Sequence, residues 1–590
     1  MEKEVSKIEK MRHTASHVLA QAVLKLFPDT KLGIGPAIDN GFYYDFDFVE
    51  PITEKDLSKI ESEMRKIVKQ RLPLTQTLMS REDAEDYLKN TEQEYKLDLL
   101  KDIPDEEVSF FSTGDNELID LCRGPHMENT GQIGYFRLLK TAGAYWRGDE
   151  NKKMLTRIYG VAFEKKEELK EHLLNLEEAE KRNHRVLGKQ LELYAIFNEI
   201  GQGLPVWLPR GYLIRRILED YMIKLERSYG YEHTLTPHIN KSNLFETSGH
   251  LKFYKESMYP PIKIDDEEYY LKPMNCPAGM MIYKMKPRSY KELPYKLGEL
   301  GTVYRYEKSG ELHGLQRVRG FTQNDAHIFC TPEQLKDIIN ETLDMLDIFY
   351  KDVGFDNYKY RLSTSDTENK KDKYAGDPEK WKHAENILRE VLKEKKADFE
   401  EVTGDAAFYG PKIDVQAINV FGKEDSVSTI QLDFNLPEKF EITYVDSDGQ
   451  EKQPYVIHRA LIGSFERFFS FLIEHHGGDF PLWFAPEQVR IVPISDNHLE
   501  YANKILTDLK KNDIRVTIDE RSKSMQAKIR DAEKMKIPYI VIVGDKEIET
   551  KTLSIRSRLN KEIGLMKEQE FIDFLKEEIL TKGVKKEVSK

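Results

Sequence analysis

The sequence predicts a multidomain protein of mixed α/β and α+β class. Its 590 residues exceed the roughly 250–300 that one hydrophobic core accommodates. Apolar residues recur at helical spacing near the N-terminus (Leu19, Val23, Leu26), whereas QVRIVPI, IRVTIDE, PYIVIVG and TLSIRSR near the C-terminus are typical of strands. We therefore expect several domains that combine helices and sheets in different orders.

Changes of pattern along the chain divide it into four predicted segments. Residues 1–163 open with that helix and continue through GIGPAIDNGFYYDFDF, whose glycines and aromatics predict turns and a strand of an α+β domain. Residues 164–186 carry leucines at helical spacing within dense charge, which predicts a solvated linker helix. Residues 187–484 mix helices with alternating strands, and residues 485–590 alternate strands with helices as a compact α/β domain does.

Composition narrows the class of protein. Three cysteines set far apart argue against a disulfide framework and fit a reducing cytoplasm. Apolar runs fall short of the roughly 18 residues that a transmembrane helix needs, and the charged N-terminus has no signal-peptide core. The net charge of −13 gives no overall nucleic-acid signature, so an RNA contact would need local basic patches.

Neighbouring segments predict a polar cleft. As a strand, RVRGFTQNDAHIF would place these side chains on one face: Arg317, Arg319, Phe321, Gln323, Asp325 and His327. TVYRYEKSG would likewise place Arg305 and Glu307 on a strand face, KSGELHG resembles a hairpin tip, and STIQLDFNL could add Gln431. Such a face is either solvated surface or an active-site lining, and two adjacent polar segments favour a hairpin that lines a cleft.

An apolar helical pattern follows in VIHRALIGSFERFFSFLIEHHGG. Leu461, Phe465 and Phe468 belong to its apolar stripe, and Ser464 and Arg467 lie away from it. An arginine in that position is either a solvated helix residue or a grip for an anionic ligand, since its guanidinium fork suits phosphate.

Cys276 lies in KPMNCPAGMM without a CxxC partner. It could be a buried apolar residue, a nucleophile or one ligand of a metal. The long stretches of sequence between it and His327 or His458 do not by themselves indicate a metal site.

Two pairs near the N-terminus share a spacing of four residues. His13 and His17 form one pair, and Cys122 and His126 form the other, which taken alone suggests a metal site. Thr14 stands where a zinc protease of the HExxH type has its glutamate, so that activity is disfavoured.

Several segments together resemble class II aminoacyl-tRNA synthetases. YRYE resembles motif 2 of that class, LIGSFERFF resembles motif 3, and the segment ending in YGYEHTLTPHI, with Pro237, resembles motif 1. PMNCP, RVRGFTQNDAHIF and VIHRALIGSFERF are similar to the threonyl-tRNA synthetase family, in consistent order over essentially the whole chain. The resemblance implies an antiparallel-sheet catalytic core at 187–484 between an editing domain at 1–163 and an anticodon-binding domain at 485–590. It also implies a form that lacks the ubiquitin-like domain often found first in this family.

The resemblance implies one Zn²⁺ per subunit, held by Cys276, His327 and His458. The family's substrate places its amino group and hydroxyl on that ion, and the matching threonine-binding positions are Met274, Gln323, Asp325, Tyr409, Gln431 and Ser464. A site that requires an oxygen ligand rejects valine, which an apolar pocket could not. The family usually continues PMNCP with Gly-His or His-His, whereas Ala278 and Gly279 follow here, which concerns packing rather than ligation.

For ATP, the resemblance implies that Arg305 contacts the α-phosphate, and that Arg467, assisted by Arg317, holds the γ-phosphate. Phe321 would stack on adenine, and Glu307 would lie near the adenine or Mg²⁺. The attacking carboxylate of the amino acid is already ionised at neutral pH, so no general base is needed.

The resemblance also implies a hydrolytic editing pocket, because serine lacks only one methyl of threonine and must be mis-activated in part. Its residues would position water rather than bind metal, and they are His13, His17, Lys96, Asp120, Cys122 and His126.

The C-terminal domain would bind the anticodon, with Arg521, Glu547 and Arg556 at the family's base-reading positions. KTLSIRSRLNK, with four basic residues and no acid, is either a phosphate-contacting patch or a solubilising surface. The implied partners are tRNA(Thr), threonine and ATP with Mg²⁺, in a cytoplasmic homodimer. A non-catalytic RNA-binding regulator and a deacylase with a degenerate synthetase half are disfavoured, because Arg305, Arg467 and the implied zinc ligands are all present.

Overall fold

The computed structural model describes residues 5–149, 151–366, 374, 377–558 and 563–583. The chain divides into two compact units, Met1–Glu177 and Glu178–Lys590. The division falls within the long helix Lys166–Arg182, which lies in the segment predicted as a linker helix. The domain boundaries expected from the sequence, after residues 163, 186 and 484, stay predictions.

The N-terminal unit is an α+β structure. Its elements are α1 (Lys7–Leu26), β1 (Lys31–Leu32), β2 (Ala37–Ile38), β3 (Gly41–Asp47), α2 (Glu54–Gln70), β4 (Leu74–Ser80), α3 (Arg81–Asn90), α4 (Glu94–Leu100), β5 (Glu107–Thr113), β6 (Leu118–Leu121), β7 (Tyr135–Tyr145), β8 (Met154–Phe163) and α5 (Lys166–Arg182). Within the described residues, β1, β3, β8 and β7 pair in that order with β2 on β3, and β4, β5 and β6 form a second sheet. Helix α1 starts at a capping box made by Ser6 and Glu9, and it buries Leu19 and Val23 as predicted, while Leu26 stays exposed at its end.

The first part of the second unit, from His184 to His476, contains most of that unit's helices and strands. Its elements are α6 (His184–Gln190), β9 (Tyr194–Ala195), β10 (Val206–Trp207), α7 (Pro209–Ser228), β11 (Glu232–His233), β12 (Ile239–Lys241), α8 (Ser242–Ser248), α9 (His250–Phe253), β13 (Ile262–Ile264), β14 (Glu267–Leu271), α10 (Cys276–Lys284), β15 (Tyr295–Tyr304), β16 (Gly320–Cys330), α11 (Leu335–Val353), β17 (Tyr358–Thr364), α12 (Pro378–Glu394), β18 (Phe399–Thr403), β19 (Lys412–Ile418), β20 (Glu424–Asp433), α13 (Leu436–Lys439), β21 (Tyr444–Val445), β22 (Glu451–Lys452), β23 (Tyr455–Ser464) and α14 (Phe465–His476).

A large sheet organises this part and confirms the expected antiparallel core. In the described part of the chain, its eight strands run in the order β11-β15-β16-β23-β20-β19-β17-β18. The pairs β11–β15 and β17–β18 are parallel, and the other pairs are antiparallel. Helices α11, α12 and α14 share one hydrophobic core with this sheet. Their packing covers one face of the sheet with apolar side chains.

The hairpin prediction was right in outline and wrong at its ends. Strands β15 and β16 do pair, but β15 ends at Tyr304 and β16 begins at Gly320, so Arg305, Glu307, Arg317 and Arg319 lie in the connection rather than on strand faces. Arg305 still donates its N–H to the carbonyl of Arg319, but the N–H of Arg319 bonds to the carbonyl of Gly203 and the N–H of Glu307 bonds to the carbonyl of Arg305, so regular pairing ends here.

The helical pattern assigned to the segment after His458 was also placed too early. Residues up to Ser464 form β23, which is bonded on both sides, to β16 and to β20, so Leu461 lies on a strand. The apolar stripe is helical only from Phe465 onward.

The C-terminal part is an α/β layer, as predicted. Its elements are β24 (Val489–Pro493), α15 (Leu499–Lys511), β25 (Val516–Ile518), α16 (Met525–Lys534), β26 (Tyr539–Val543), α17 (Asp545–Thr550), β27 (Thr552–Ser557), β28 (Gly564–Lys567) and α18 (Glu568–Thr581). Among the described residues, the sheet order is β25-β24-β26-β27-β28, with the first three strands parallel. The last residues of the basic segment KTLSIRSRLNK lie outside the described residues. No helix in the described ranges has the length and apolar character needed to cross a membrane.

Candidate active site and metal centre

Three adjacent strands bring predicted threonine-binding and metal-ligating side chains together. Alternation along β16 puts Gln323, Asp325 and His327 on one face of the sheet. The register sets His327 opposite His458 on β23, and His458 in turn opposite Gln431 on β20. Residues far apart in sequence therefore lie side by side because of strand pairing.

A bulge in β23 fixes where α14 begins. The pairing of β23 with β16 shifts between Gln323 and Asp325. Gly463 has a φ of +61° there, and a Cβ at this position would overlap a backbone oxygen of the neighbouring strand. Ser464 then caps α14, since its Oγ accepts the N–H of Arg467 at 3.1 Å. The bulge thus places Arg467 in the first helical turn.

Cys276, His327 and His458 form a buried cluster whose candidate ligand atoms lie within 4.8 Å of one another. The Nε2 of His458 is 2.8 Å from Asp433 Oδ2, which leaves its Nδ1 facing away from that carboxylate. Among the described residues, His458 Nδ1 and His327 Nε2 have no hydrogen-bond partner. Unpaired ring nitrogens beside a thiol, with one ring fixed by a carboxylate, fit a metal site.

Cys276 and the two histidines shift one another's pKa values. Burial raises the pKa of the Cys276 thiol, but His458 and His327 outweigh that effect and lower the pKa to about 7. Burial likewise opposes the charged form of His458, whose pKa Cys276 and Asp433 raise to about 10. Cys276 is the first residue of α10, and a Cβ on Gly279 would stand 3.1 Å from His327 Nδ1. Gly279 therefore permits the helix to approach the His327 ring, which is a packing role.

A cavity of about 440 Å³ opens onto this cluster. Its lining includes most of the predicted threonine-binding positions, namely Met274, Gln323, Asp325, Tyr409 and Gln431, together with Cys276 and His458. The Tyr409 hydroxyl donates to Gln431 Oε1, and the buried Asn275 amide donates to Asp325 Oδ2 at 3.0 Å. The cavity thus offers fixed polar groups beside a candidate metal centre.

A second cavity, of about 240 Å³, adjoins the first. Residues predicted to bind ATP line it: Arg305, Glu307, Arg317, Phe321 and Arg467. Ser464, which was expected at the threonine position, lines this cavity and not the first. Burial lowers the pKa of the Arg467 guanidinium, as do Arg305 and Arg317. Arg317 is paired with Glu307 at 2.8 Å, whereas Arg467 is a buried cation beside two other arginines, which indicates an anion site.

Sequence reasoning missed Lys412, which lines both cavities. Its Nζ lies 2.6 Å from Asp414 Oδ2 on the same strand. In KIDVQ, every second residue (Lys412, Asp414 and Gln416) is polar, as on the polar face of β16. This alternation could have identified Lys412 from the sequence.

The four N-terminal residues of the predicted editing pocket converge. Cys122 Sγ lies 3.3 Å from His13 Nε2 and 3.3 Å from His126 Nε2. The rings of His13, His17 and His126 form a triangle, with centroids 5.2 Å apart for His13 and His17, 4.1 Å for His13 and His126, and 4.3 Å for His17 and His126. Their candidate ligand atoms lie within 4.8 Å of one another, so by geometry alone they could also hold a metal.

Asp120 anchors this pocket. It lies 2.6 Å from the buried Lys96 ammonium, accepts from the Tyr44 hydroxyl at 2.6 Å, and approaches His17 Nε2 to 3.7 Å. Sequence reasoning named Lys96 and Asp120 but missed Tyr44, because that side chain lies in the buried strand β3.

Protonation in the N-terminal pocket differs from that in the cluster of Cys276, His327 and His458. Burial lowers the pKa of His13, His17 and His126, and it raises the pKa of the Cys122 thiol to about 11. The rings and the thiol are therefore neutral near pH 7. Neutral imidazoles can accept protons from water, which suits hydrolysis.

The predicted anticodon residues lie on separate segments of the C-terminal part. Arg556 pairs with Ile540 near the start of β26, whereas Glu547 follows the end of that strand. Glu547 accepts the N–H of Gly544 at 2.9 Å. Arg521 donates to the carboxylate of Asp519 through Nε at 2.8 Å and through Nη2 at 2.6 Å.

Comparison with known families matches all three parts of the chain. Residues 259–476 match the tRNA synthetase class II core domain of the G, H, P, S and T type. Residues 488–578 match an anticodon binding domain. Residues 108–159 match the threonyl and alanyl tRNA synthetase second additional domain.

Relatives of known name align over nearly the whole chain. The threonine–tRNA ligase of Geobacillus kaustophilus is 49% identical over 574 residues, which cover 97% of this chain and 88% of the relative. That of Aquifex aeolicus is 49% identical over 580 residues, covering 98% and 90%. Among solved structures, the RNA binding domain of threonyl-tRNA synthetase from Cryptosporidium parvum superimposes with a TM-score of 0.63 at 36% identity, covering 67% of this chain and 98% of that one. With class II core, anticodon-binding and second additional domains in one chain, and relatives at this identity, the protein belongs to the threonyl-tRNA synthetase family of class II aminoacyl-tRNA synthetases.

Proposed function

We propose that the protein ligates threonine to tRNA(Thr). Threonine and ATP form threonyl-adenylate and pyrophosphate, and the threonyl group then passes to the 3′ end of the tRNA. The observation that carries this proposal is the adjacency of the two cavities, which share Arg305, Gln323 and Lys412 in their linings. An amino acid held against the cysteine–histidine cluster would direct its carboxylate toward a nucleotide held by the arginines.

We propose Zn²⁺, one per subunit, at Cys276, His327 and His458. A buried Cys-His-His donor set that faces a cavity fits a zinc site with an open position. When bound, zinc supplies Lewis-acid positions for the amino group and hydroxyl of threonine. Asp325 then accepts a hydrogen bond from that hydroxyl, which valine does not have.

Activation needs positioning more than acid–base chemistry. Arg305 would neutralise the α-phosphate, and Arg467 with Arg317 would hold the γ-phosphate. Phe321 would stack on adenine, with Glu307 near the adenine or Mg²⁺. Since the attacking carboxylate is already ionised, fixed cations beside the developing charge account for the catalysis.

We propose that the N-terminal pocket hydrolyses Ser-tRNA(Thr). The neutral rings of His13, His17 and His126, grouped beside the Cys122 thiol, would orient a water. Lys96 and Asp120 supply a buried ion pair next to it. The match to the second additional domain supports this proposal.

The remaining assignments follow from the family. We propose that residues 485–590 bind the anticodon of tRNA(Thr), with Arg521, Glu547 and Arg556 as candidates for separate contacts. Residues 1–163 and 187–484 would be the editing and catalytic domains, joined by the linker 164–186. The protein would work as a cytoplasmic homodimer.

Threonine-dependent exchange of pyrophosphate into ATP tests the proposed function. The full chain, loaded with zinc, should exchange with threonine, more weakly with serine, and hardly with valine. Elemental analysis should find one zinc per chain, which Cys276→Ala loses together with exchange. A folded, zinc-loaded preparation without threonine-dependent exchange would overturn the proposal.

A further inference from the structure

His184 is a buried histidine that none of the sequence motifs includes. It is the first residue of α6 and has no exposed surface. Its Nε2 accepts the backbone N–H of Leu315 at 3.3 Å, and its Nδ1 lies 2.6 Å from Glu474 Oε1 on α14. Because Nε2 accepts a hydrogen bond, the neutral ring carries its proton on Nδ1 and donates it to Glu474.

The residues that follow Leu315 belong to the arginine-lined cavity. The backbone oxygen of Gln316 accepts the Nε–H of Arg467 at 2.9 Å. Arg317, the next residue, lines the same cavity. A displacement of Leu315 would therefore move Arg317, which lies two residues further along the same loop. It would also move Arg467, which is hydrogen-bonded to Gln316.

The loop also packs directly on the His184 ring. Gly314 has a φ of +50°, and a Cβ at this position would overlap that ring. The residue is glycine because both the backbone conformation and the close approach require it. On the other side, Glu474 Oε2 accepts the N–H of Val420 at 3.3 Å, so the carboxylate that holds His184 is itself fixed.

We propose that His184 is a positioning residue for ATP. It ties the loop 314–317 to α14, the helix that carries Arg467, so that Arg317 and Arg467 converge on the triphosphate. This inference rests on the proposed function. It assigns a role in nucleotide binding to a residue outside the matched class II core, 259–476.

Two substitutions at His184 separate positioning from general packing. In His184→Gln the side-chain oxygen can reach the Leu315 N–H, whereas in His184→Asn the side chain is too short and can contact only Glu474. We expect His184→Asn to raise the KM for ATP about fivefold to tenfold in pyrophosphate exchange, with the KM for threonine unchanged. His184→Gln should restore most of the affinity for ATP.

His476 provides a matched control. This half-buried histidine lies at the end of α14, and its Nε2 donates to the Val353 carbonyl at 2.9 Å. His476→Asn should lower thermal stability without raising the KM for ATP. An equal rise in His476→Asn, an unchanged KM for ATP in folded His184→Asn, or a parallel rise in the KM for threonine would overturn the inference. Wild type without exchange would instead refute the proposed function.

A change from the loop side gives an independent test. Gly314→Ala should also raise the KM for ATP, because its methyl group displaces the loop from the ring. In the double variant His184→Ala/Gly314→Ala the ring is gone, so the combined effect on the KM for ATP should be smaller than the product of the two single effects. Independent effects that multiply in full would contradict a direct contact between loop and ring.

Discussion

His458 and Asp433 form a buried pair that fixes which ring nitrogen faces the cysteine–histidine cluster. His458 Nε2 lies 2.8 Å from Asp433 Oδ2, while Asp433 Oδ1 accepts the backbone N–H groups of Asn435 and Leu436 at 2.7 and 3.0 Å. The carboxylate is therefore fixed by the start of α13, and once the His458 ring has released one proton it holds the remaining proton on Nε2. The lone pair on Nδ1 is left for a metal.

Asp433→Asn should weaken zinc binding about 10–100-fold. The asparagine can keep its oxygen on the backbone N–H groups, but its NH₂ group would then face His458 Nε2 and favour the tautomer with a proton on Nδ1. Retention of zinc against graded chelator measures the effect. Asp325→Asn, a change on the same cavity, should retain zinc and lose affinity for threonine. Equal zinc retention by Asp433→Asn and wild type would contradict this account.

The polar face of β16 could be predicted from the sequence, because it depends on one strand alone. Gln323, Asp325 and His327 share a face because side chains alternate along one strand, a local rule. The positions of Arg305 and Arg317 could not be predicted in the same way. Regular pairing ends at Tyr304 and Gly320, and the contacts beyond that point involve residues outside the hairpin. One of them is the bond from the N–H of Arg319 to Gly203.

The cysteine–histidine cluster depends on contacts that no local pattern contains. Cys276 meets His327 and His458 only because α10 packs on the sheet and because β16 pairs with β23 in one register. A shift of one residue in that register would turn His458 to the opposite face. His184 has no motif at all, and only its contacts with Leu315 and Glu474 identify it.

His17→Ala should separate the two activities. His17 lies beside Asp120 in the N-terminal pocket and lines neither the cavity at the cysteine–histidine cluster nor the arginine-lined cavity. We expect threonine activation to be unchanged and Ser-tRNA(Thr) to accumulate, since the water would lose one of its orienting rings. Deacylation of preformed Ser-tRNA(Thr) gives the rate directly. Hydrolysis at the wild-type rate would remove His17 from the mechanism.

The same histidines should make the N-terminal unit sensitive to acid. Burial holds the pKa values of His13, His17 and His126 below their ordinary value of 6.5. Below about pH 6.5 the unfolded state therefore binds more protons than the folded state, and stability falls as the pH falls toward the folded pKa values. Above that pH these groups add no pH dependence, because they are neutral in both states.

Hydrogen exchange of α1 in the full chain, between about pH 7.5 and about pH 5.5 and corrected for intrinsic rates, measures this loss of stability. His17→Asn should reduce the slope, because one buried titrating group is removed. His383→Asn, at an exposed position of α12, should leave it unchanged. A wild-type slope in His17→Asn would show that His17 is not the source of the acid sensitivity.

Asn275 should control the choice between threonine and valine. Its buried amide donates to Asp325 Oδ2 at 3.0 Å, and Gly301 on β15 leaves room for it, since a Cβ there would overlap the amide. Asn275→Leu keeps the volume but removes the donor, so Asp325 loses the contact that orients it toward the substrate hydroxyl. We expect the KM for threonine to rise about tenfold and the preference over valine to fall, with zinc content and the KM for ATP unchanged. Gly301→Ala should show the same pattern, because it displaces Asn275 without altering it. If Asn275→Leu retains zinc and discriminates against valine as well as wild type, Asp325 is oriented by other contacts and the hydroxyl is recognised without Asn275.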